Sequence, residues 1–228
     1  MKAVAAVQSS VGFEGVRETA GILARNPVSA VALLFMAILI AVAIGAPWIV
    51  PYDPNATDLD RVLNPPSASH WFGTDQVGRD VLSRVLIASR LDLSIAFVSV
   101  LLSGTIGALI GGAAAFYGGA ADRVVGRATD VLMTFPLFVV AMALVAALGN
   151  SVQSIVIASA VVNLPFFVRL ARSEIALLRS QQFVEAARAG GNTDRQILLR
   201  FMIPNALPTL TVQVSTGLGW AVLNAASL

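Results

Sequence analysis

The chain has 228 residues, 57% of them hydrophobic and only 12% charged, with a mean hydropathy of +0.79 and a formal net charge of +2. Soluble domains carry about 25% charged residues, so the composition excludes a chain solvated on all sides and points to an all-α, polytopic membrane protein. It has no cysteine, a single histidine (His70) and a single lysine (Lys2), which excludes disulfides, thiolate metal sites and a Walker-type loop ending in Lys-Ser/Thr, and leaves little for an imidazole metal cluster or a His-based triad.

Residues 1–27 are too polar for the bilayer core. Phe13, Val16, Ala20 and Leu23 recur at helical spacing, with Glu14, Arg17, Glu18 and Arg25 elsewhere on the wheel, which predicts a short amphipathic helix on the interface; over residues 1–11 a disordered tail is the alternative. The next 23 residues, Val28 to Val50, are uncharged. At 1.5 Å per residue they reach about 34 Å, enough to cross a hydrocarbon core of about 30 Å, and form the first predicted span. Ala41-Val42-Ala43 resembles a signal-peptide cleavage site, but the apolar run exceeds the usual length of about 7 to 15 residues and starts too late, so an uncleaved anchor is expected.

Residues 51–91 form an aqueous segment rich in aspartate and broken by Pro51, Pro54, Pro65 and Pro66. Within it lies His70-Trp71-Phe72-Gly73-Thr74-Asp75-Gln76-Val77-Gly78-Arg79-Asp80-Val81-Leu82-Ser83-Arg84. Gly73 and Gly78 allow tight turns, Asp75 is placed to N-cap a following helix, and Asp80 with Arg84 has the spacing of an i,i+4 pair. These are structural jobs, so the stretch reads as scaffold in preference to substrate contact. Trp71 and Phe72 suit an interfacial aromatic anchor.

The second span is predicted over Asp92–Tyr117, with Gly104, Gly107, Gly111 and Gly112 marking a closely packed face. A loop, Gly118 to Asp130, leads to a third span at about Val131–Leu148, where Pro136 is placed to bend it. The fourth runs from about Val152 to Leu170 and is interrupted by Asn163 and Pro165; Asn163 is a candidate for lining a pathway, with helix-to-helix hydrogen bonding as the alternative. The fifth, Leu207–Leu228, is dense in polar groups, and Gln213 and Thr216 join Asn163 as pathway candidates.

Between the fourth and fifth spans stands a polar bracket. A helix-forming run, Phe183-Val184-Glu185-Ala186-Ala187-Arg188-Ala189, stops at Gly190-Gly191, and Asn192 to Asp194 can cap a second helix ending at Pro204. Its alanines offer a smooth surface that a partner can approach, and Glu185, Arg188 and Arg195 offer charged contacts around it. Spacing alone fits a docking helix and an ordinary solvated hairpin equally well.

Two motifs carry a family resemblance. Glu185-Ala186-Ala187, with Gly191 four residues on and Phe201-Met202-Ile203-Pro204 beyond, resembles the EAA loop of membrane subunits of binding-protein-dependent ABC importers. Phe201 and Ile203 stand where that pattern has Ile and Leu, and Gly190 where a larger apolar residue is common. The stretch Gly73-Thr74-Asp75, Gly78-Arg79-Asp80 and Ser83-Arg84 is similar to the signature of the C-type permease of dipeptide, oligopeptide and nickel importers. The resemblance implies a type I importer-like helical bundle of six spans, of which five are read here, either because the product is truncated or because other subunits complete the core. It also implies that Glu185, Ala186, Ala187, Arg188 and Gly191 belong to a coupling helix that docks on a cytoplasmic ATPase. Implied partners are a second homologous permease, two ATP-binding cassette subunits that hold ATP and Mg, an extracytoplasmic solute-binding protein and the lipid bilayer; no cofactor is expected on this chain, and no nucleic acid. Short peptides are the leading solute, with nickel or another small solute behind.

Basic residues give the expected orientation. Placing the N-terminus inside puts Lys2, Arg17, Arg25, Arg123, Arg127, Arg169, Arg172, Arg179, Arg188, Arg195 and Arg200 in the cytoplasm and Arg61, Arg79, Arg84 and Arg90 outside, as the positive-inside bias requires. The expected organisation is then a tail over 1–27, the first span over 28–50, an extracytoplasmic segment over 51–91 and a permease core over 92–228 with its loop at about 172–204, in a bacterial inner membrane. A subunit of an ion-gradient-driven transporter or channel is the alternative, weakened because Asp92, Asp130 and Glu174 sit at span edges. A membrane enzyme is disfavoured by the missing Cys and the absence of paired carboxylates within the spans.

Overall fold

The computed structural model describes residues 26–228, so the amphipathic helix expected over Phe13–Leu23 lies outside the described residues. All regular structure described is helical apart from one isolated bridge between Thr74 and Asp80. The chain divides into two units, residues 1–90 and 91–228.

In the first unit, α1 spans Pro27–Ile49, opened by Asn26, whose side chain accepts from the Val28 amide. Its large apolar side chains are exposed, among them Leu34, Phe35, Ile44 and Trp48, as expected of a span that meets lipid on most sides. The segment that follows has one 3-10 turn, Leu59–Arg61, and otherwise folds through turns.

The next helix, α2, runs over Val81–Tyr117, 37 residues, and begins eleven residues before the predicted second span. The start is set by Asp80, whose Oδ2 accepts from the Ser83 amide at 2.8 Å, the geometry of an N-cap. Asp75, expected in that role, does not cap the helix, and Arg84 turns toward Asp75 at 3.6 Å and not toward Asp80. The i,i+4 pairing fails because both Asp80 oxygens are already engaged within the turn.

In the second unit, the expected loop after Tyr117 is helical: α3 spans Gly119–Thr134 and α4 spans Leu137–Leu148. The two meet at 91° across Phe135-Pro136, because the residue before a proline is driven out of the helical region. The third span is therefore not one helix from 131 to 148. Its straight part, α4, is 12 residues, about 18 Å long and short of a full crossing. Conversely α5 is unbroken over Val152–Leu178 despite Asn163 and Pro165; Pro165 is buried within it, where packed neighbours tolerate a proline kink.

Beyond α5 come α6, Gln182–Ala189, a short α7, Asp194–Ile197, a π turn at Leu198–Met202 and α8, Ile203–Ser227. The second bracket helix does not end at Pro204. Pro204 sits at the start of α8, where its missing N–H costs nothing, and the wider π turn before it makes room for the ring. Among the described residues four helical stretches are long and apolar enough to cross a membrane, five if α3 and α4 together count as one.

The core of this unit forms where α5 meets α2 and α8. A Cβ on Gly107 would lie 2.6 Å from Phe167 Cβ, and Gly104 faces the Phe167 ring, so the glycine face of α2 is the slot that receives Phe167. Phe167, Val100, Ile175, Met202, Ala206 and Leu210 join a single buried cluster that continues into Val184, Ala187 and Ile197. The polar bracket is thus anchored on the same core as the spans.

Candidate functional site

Two polar sites stand out, and they are built in opposite ways. The first lies in residues 51–84. Asp80 is 3% exposed, and its two oxygens accept from His70 Nδ1 at 2.9 Å and from the Ser83 amide and hydroxyl at 2.8 and 2.7 Å. Arg61 Nη1 lies 3.2 Å from His70 Nε2. A guanidinium can only donate, so Nε2 accepts and the imidazole proton sits on Nδ1, directed at Asp80. Ser83 Oγ also accepts from the Tyr52 amide, and the Tyr52 ring lies 4.8 Å from the imidazole. The lone histidine, set aside in the sequence analysis, is the centre of this cluster. The only signal for it was a titratable residue ten positions before an aspartate, and sequence spacing cannot distinguish that from chance.

Around this cluster the motif's other members fix turns. Thr74 Oγ1 accepts from the Asn64 amide and donates to the Arg61 carbonyl. Asp75 accepts from the Val77 and Arg79 amides at 3.0 Å each and from Arg79 Nε at 2.7 Å. Burial alone would raise the Asp75 carboxyl, but these donors outweigh it and bring it down to about 2. Asp80 is lowered in the same manner: burial opposes ionisation and is overcome by Ser83 and His70. Gly78 has φ +77, and a Cβ there would overlap the Asp58 carbonyl, so the turn admits no other residue. The structure thus brings together Gly73, Thr74, Asp75, Gly78, Arg79, Asp80 and Ser83, and places Arg84 at the edge with its guanidinium 3.4 Å from the Pro54 carbonyl.

The second site is the bracket at 179–204. Gly191 takes φ +79 and the chain reverses with two bonds, from the Asn192 amide to the Ala187 carbonyl and from the Gly191 amide to the Arg188 carbonyl, a Schellman motif. Thr193 then starts α7 with a capping box completed by Gln196. Val184 and Ala187 are buried, whereas Glu185, Ala186, Arg188 and Ala189 are exposed. This corrects the expectation that Ala187 belongs to the outer surface: it faces inward against the core that holds Ile197. Arg188 and Asp194 approach only to 3.9 Å, both more than half exposed, and such a surface pair contributes little.

The pathway candidates do not gather. Asn163 is 5% exposed and its amide donates to the Ser159 carbonyl one turn back. Thr216, exposed, donates to the Val212 carbonyl, and Gln213 is half-buried. An apolar cavity of about 310 Å³ between α2, α5 and α8, lined by Val100, Gly104, Phe167, Leu210 and Val214 among others, includes none of the three. Among the described residues no cluster of His, Cys, Asp and Glu could hold a metal ion.

A multi-span helical chain with a polar bracket anchored on its core is, by class, a polytopic membrane protein. Comparison with known proteins gives the family. Residues 103–228 match the binding-protein-dependent transport system inner membrane component, and residues 17–66 match the N-terminal TM domain of oligopeptide transport permease C. The chain is 38% identical over 221 residues to the "Probable D,D-dipeptide transport system permease protein DdpC" of Escherichia coli K12, covering 97% of this chain and 74% of that one. It is 40% identical over 205 residues to the "Glutathione transport system permease protein GsiD" of Escherichia coli O6:K15:H31, covering 90% and 68%, and 38% identical to the protein of that name in Pectobacterium atrosepticum over the same shares. The chain belongs to the binding-protein-dependent transport system inner membrane component family. It is an ABC permease of the multi-pass inner-membrane type and not an enzyme, which sets aside the gradient-driven alternative.

Proposed function

We propose that this permease forms half of the translocation pathway of an ATP-driven importer of short peptides, and that the loop at 182–204 is its contact with a cytoplasmic ATPase. The observation that carries the second part is the divided surface of α6. Its inner side, Val184 and Ala187, is locked into the core, and its outer side presents Glu185, Ala186 and Arg188 with no side-chain partner among the described residues closer than Asp194. A helix held rigidly from behind and polar in front is suited to pass a push from a partner into the spans. The route runs through α5, a continuous helix of 27 residues separated from α6 by three residues.

In this scheme ATP and Mg are bound by two partner ATPases, a second homologous permease completes the pathway, and an extracytoplasmic binding protein delivers the solute. The peptide assignment is supported by the solutes printed in the relatives' names, a D,D-dipeptide and glutathione. The excess of arginine in the 123–127 and 169–200 segments supports a cytoplasmic position for both, with the N-terminus on the same side.

The chain has no cysteine of its own, so a cysteine introduced as Ala186→Cys gives a unique thiol on the exposed side of α6, with Ala187→Cys as the buried control. Bifunctional thiol crosslinking in native membranes is expected to join the Ala186→Cys chain to a soluble ATPase in a nucleotide-dependent manner, and the control to do so far less. An accessible thiol that never captures an ATPase would reject the coupling role.

A further inference from the structure

Arg169, Arg172 and Ser173 on α5 and its C-cap residue Arg179 fall on one helical face and, with Gly118 and Asp122, line a cavity of about 460 Å³. Two of the three guanidinium groups are held from one side. Arg172 Nε donates to Asp122 at 2.8 Å and Arg169 Nη2 to Asp130 at 3.1 Å. Each such bond uses one N–H, fixes the plane of the group and leaves its other donors available. Arg179 makes no side-chain hydrogen bond or ion pair among the described residues. Beside it begins α3, 16 residues long, with Gly118 as an N-cap that offers no side chain to the first amides.

These groups stand close together: a Cβ on Gly118 would lie 3.0 Å from Arg179 Nη1. The positive end of a helix, equivalent to about half a charge, therefore shares its space with a guanidinium, and the carboxylates at the pocket are already engaged, Asp122 by Arg172 and Asp130 by Arg169. Like-signed groups at this spacing repel unless an anion lies between them. Their level in the fold indicates which anion. The apolar run of α2 ends at Tyr117, immediately before Gly118, which is where hydrocarbon gives way to headgroups. From there α3 leaves at 91° to α4 with Val124 and Val131 exposed, so an α4 that dips into the bilayer sets α3 along its surface, where acyl chains can cover those valines.

We propose that this pocket binds the phosphate of an anionic phospholipid headgroup, with Arg179 as the principal donor, Arg172 and Arg169 as pre-oriented forks and the α3 amides completing the cradle. Arginine suits the task because its planar fork matches phosphate oxygens in pairs. The assignment does not depend on which solute is carried, nor on which side of the membrane the loop faces.

The test uses the full permease purified with its partner subunits and exchanged into mixed micelles of phosphatidylglycerol and phosphatidylcholine with matched acyl chains, read by native mass spectrometry. Both lipids carry the phosphate, but the choline cation of phosphatidylcholine is repelled by the arginines, so phosphatidylglycerol is expected to be retained roughly tenfold over it. Arg179→Gln should bring the two close to parity, with Arg179→Lys between. Arg123→Gln removes the same charge from an exposed position on α3 outside this pocket and should leave retention unchanged. Equal retention of the two lipids, or an equal loss with Arg123→Gln, would overturn the proposal. Release of the bound lipid by millimolar inorganic phosphate would overturn the lipid source and assign the pocket to a soluble phosphate.

Discussion

The polar segments at 51–84 and 179–204 both rest on glycines in left-handed turns, capped helix starts and a few charged side chains, yet they use these parts for different ends. In the first, the polar groups satisfy one another: both Asp80 oxygens, both His70 nitrogens and the Thr74 hydroxyl have partners within the segment. In the second, the turn is satisfied by backbone bonds, and the charged side chains are left toward solvent. A polar group buried without a partner costs about 1–3 kcal/mol, so the first arrangement has to be complete to fold at all. The second folds whether or not its outer side chains ever meet a partner. The difference separates residues that make the protein from residues that the protein presents.

Glycine substitution should divide the two sites most widely. Gly78→Ala drives a methyl group into the Asp58 carbonyl at a backbone angle that disfavours any side chain, and the expected outcome is loss of folded protein from the membrane fraction. Gly191 has the same sign of φ but open space around it, with nothing within 4 Å of a Cβ. Gly191→Ala should therefore cost only about 1–2 kcal/mol, the left-handed penalty alone, and leave membrane insertion intact. Gly191→Pro goes further, since a ring fixes φ near −65° and removes the amide that bonds Arg188; insertion should persist while solute uptake is abolished. Quantifying membrane-inserted protein beside uptake for the three variants checks the contrast.

Next in size is an effect of acid on the first segment. In the folded chain the Asp75 carboxyl is lowered to about 2 and Asp80 is lowered as well, against an unfolded value of about 4. A depressed carboxyl contributes stability that is complete above the unfolded value and is lost as pH falls through the folded one. The midpoint of thermal unfolding, followed by tryptophan fluorescence, should thus fall between about pH 5 and pH 2. Asp75→Asn should lower it at pH 7 and flatten its dependence over that window. A midpoint as steep in Asp75→Asn as in the parent chain would show that other carboxylates carry the effect.

Much of the fold was legible because a helix in lipid announces itself by composition: the bounds of α1 differ from the predicted span by one residue at each end. What was not legible depended on where side chains find partners. Asp80 rather than Asp75 starts α2 because His70 and Ser83 complete its coordination, and those contacts are set by the turn, not by spacing. Pro136 and Pro165 are the same residue with opposite consequences: the first stands at a right-angle break and the second inside an unbroken, packed helix. The bracket's turn chemistry was readable from Gly190-Gly191 and Thr193, but which of Ala186 and Ala187 faces out follows only from how α6 lies on the core.

That last distinction gives the finest separation, between neighbouring alanines on one short helix. Ala187 is 8% exposed and belongs to the core cluster, so Ala187→Leu adds volume where packing is already complete and should destabilise by about 1–3 kcal/mol. Ala186 is exposed, and Ala186→Leu should change stability by no more than about 0.5 kcal/mol. Function should rank the other way for equal amounts of folded protein: Ala186→Leu puts a bulky group on the side offered to a partner, and a loss of uptake with unchanged unfolding is expected. Glu185→Arg, which reverses the charge on the same side, should behave as Ala186→Leu does. Uptake normalised to inserted protein, measured with the unfolding midpoint for each variant, decides the matter. If Ala186→Leu and Glu185→Arg both transport normally, the exposed side of α6 is a solvated surface and the contrast between the two polar segments is one of packing alone.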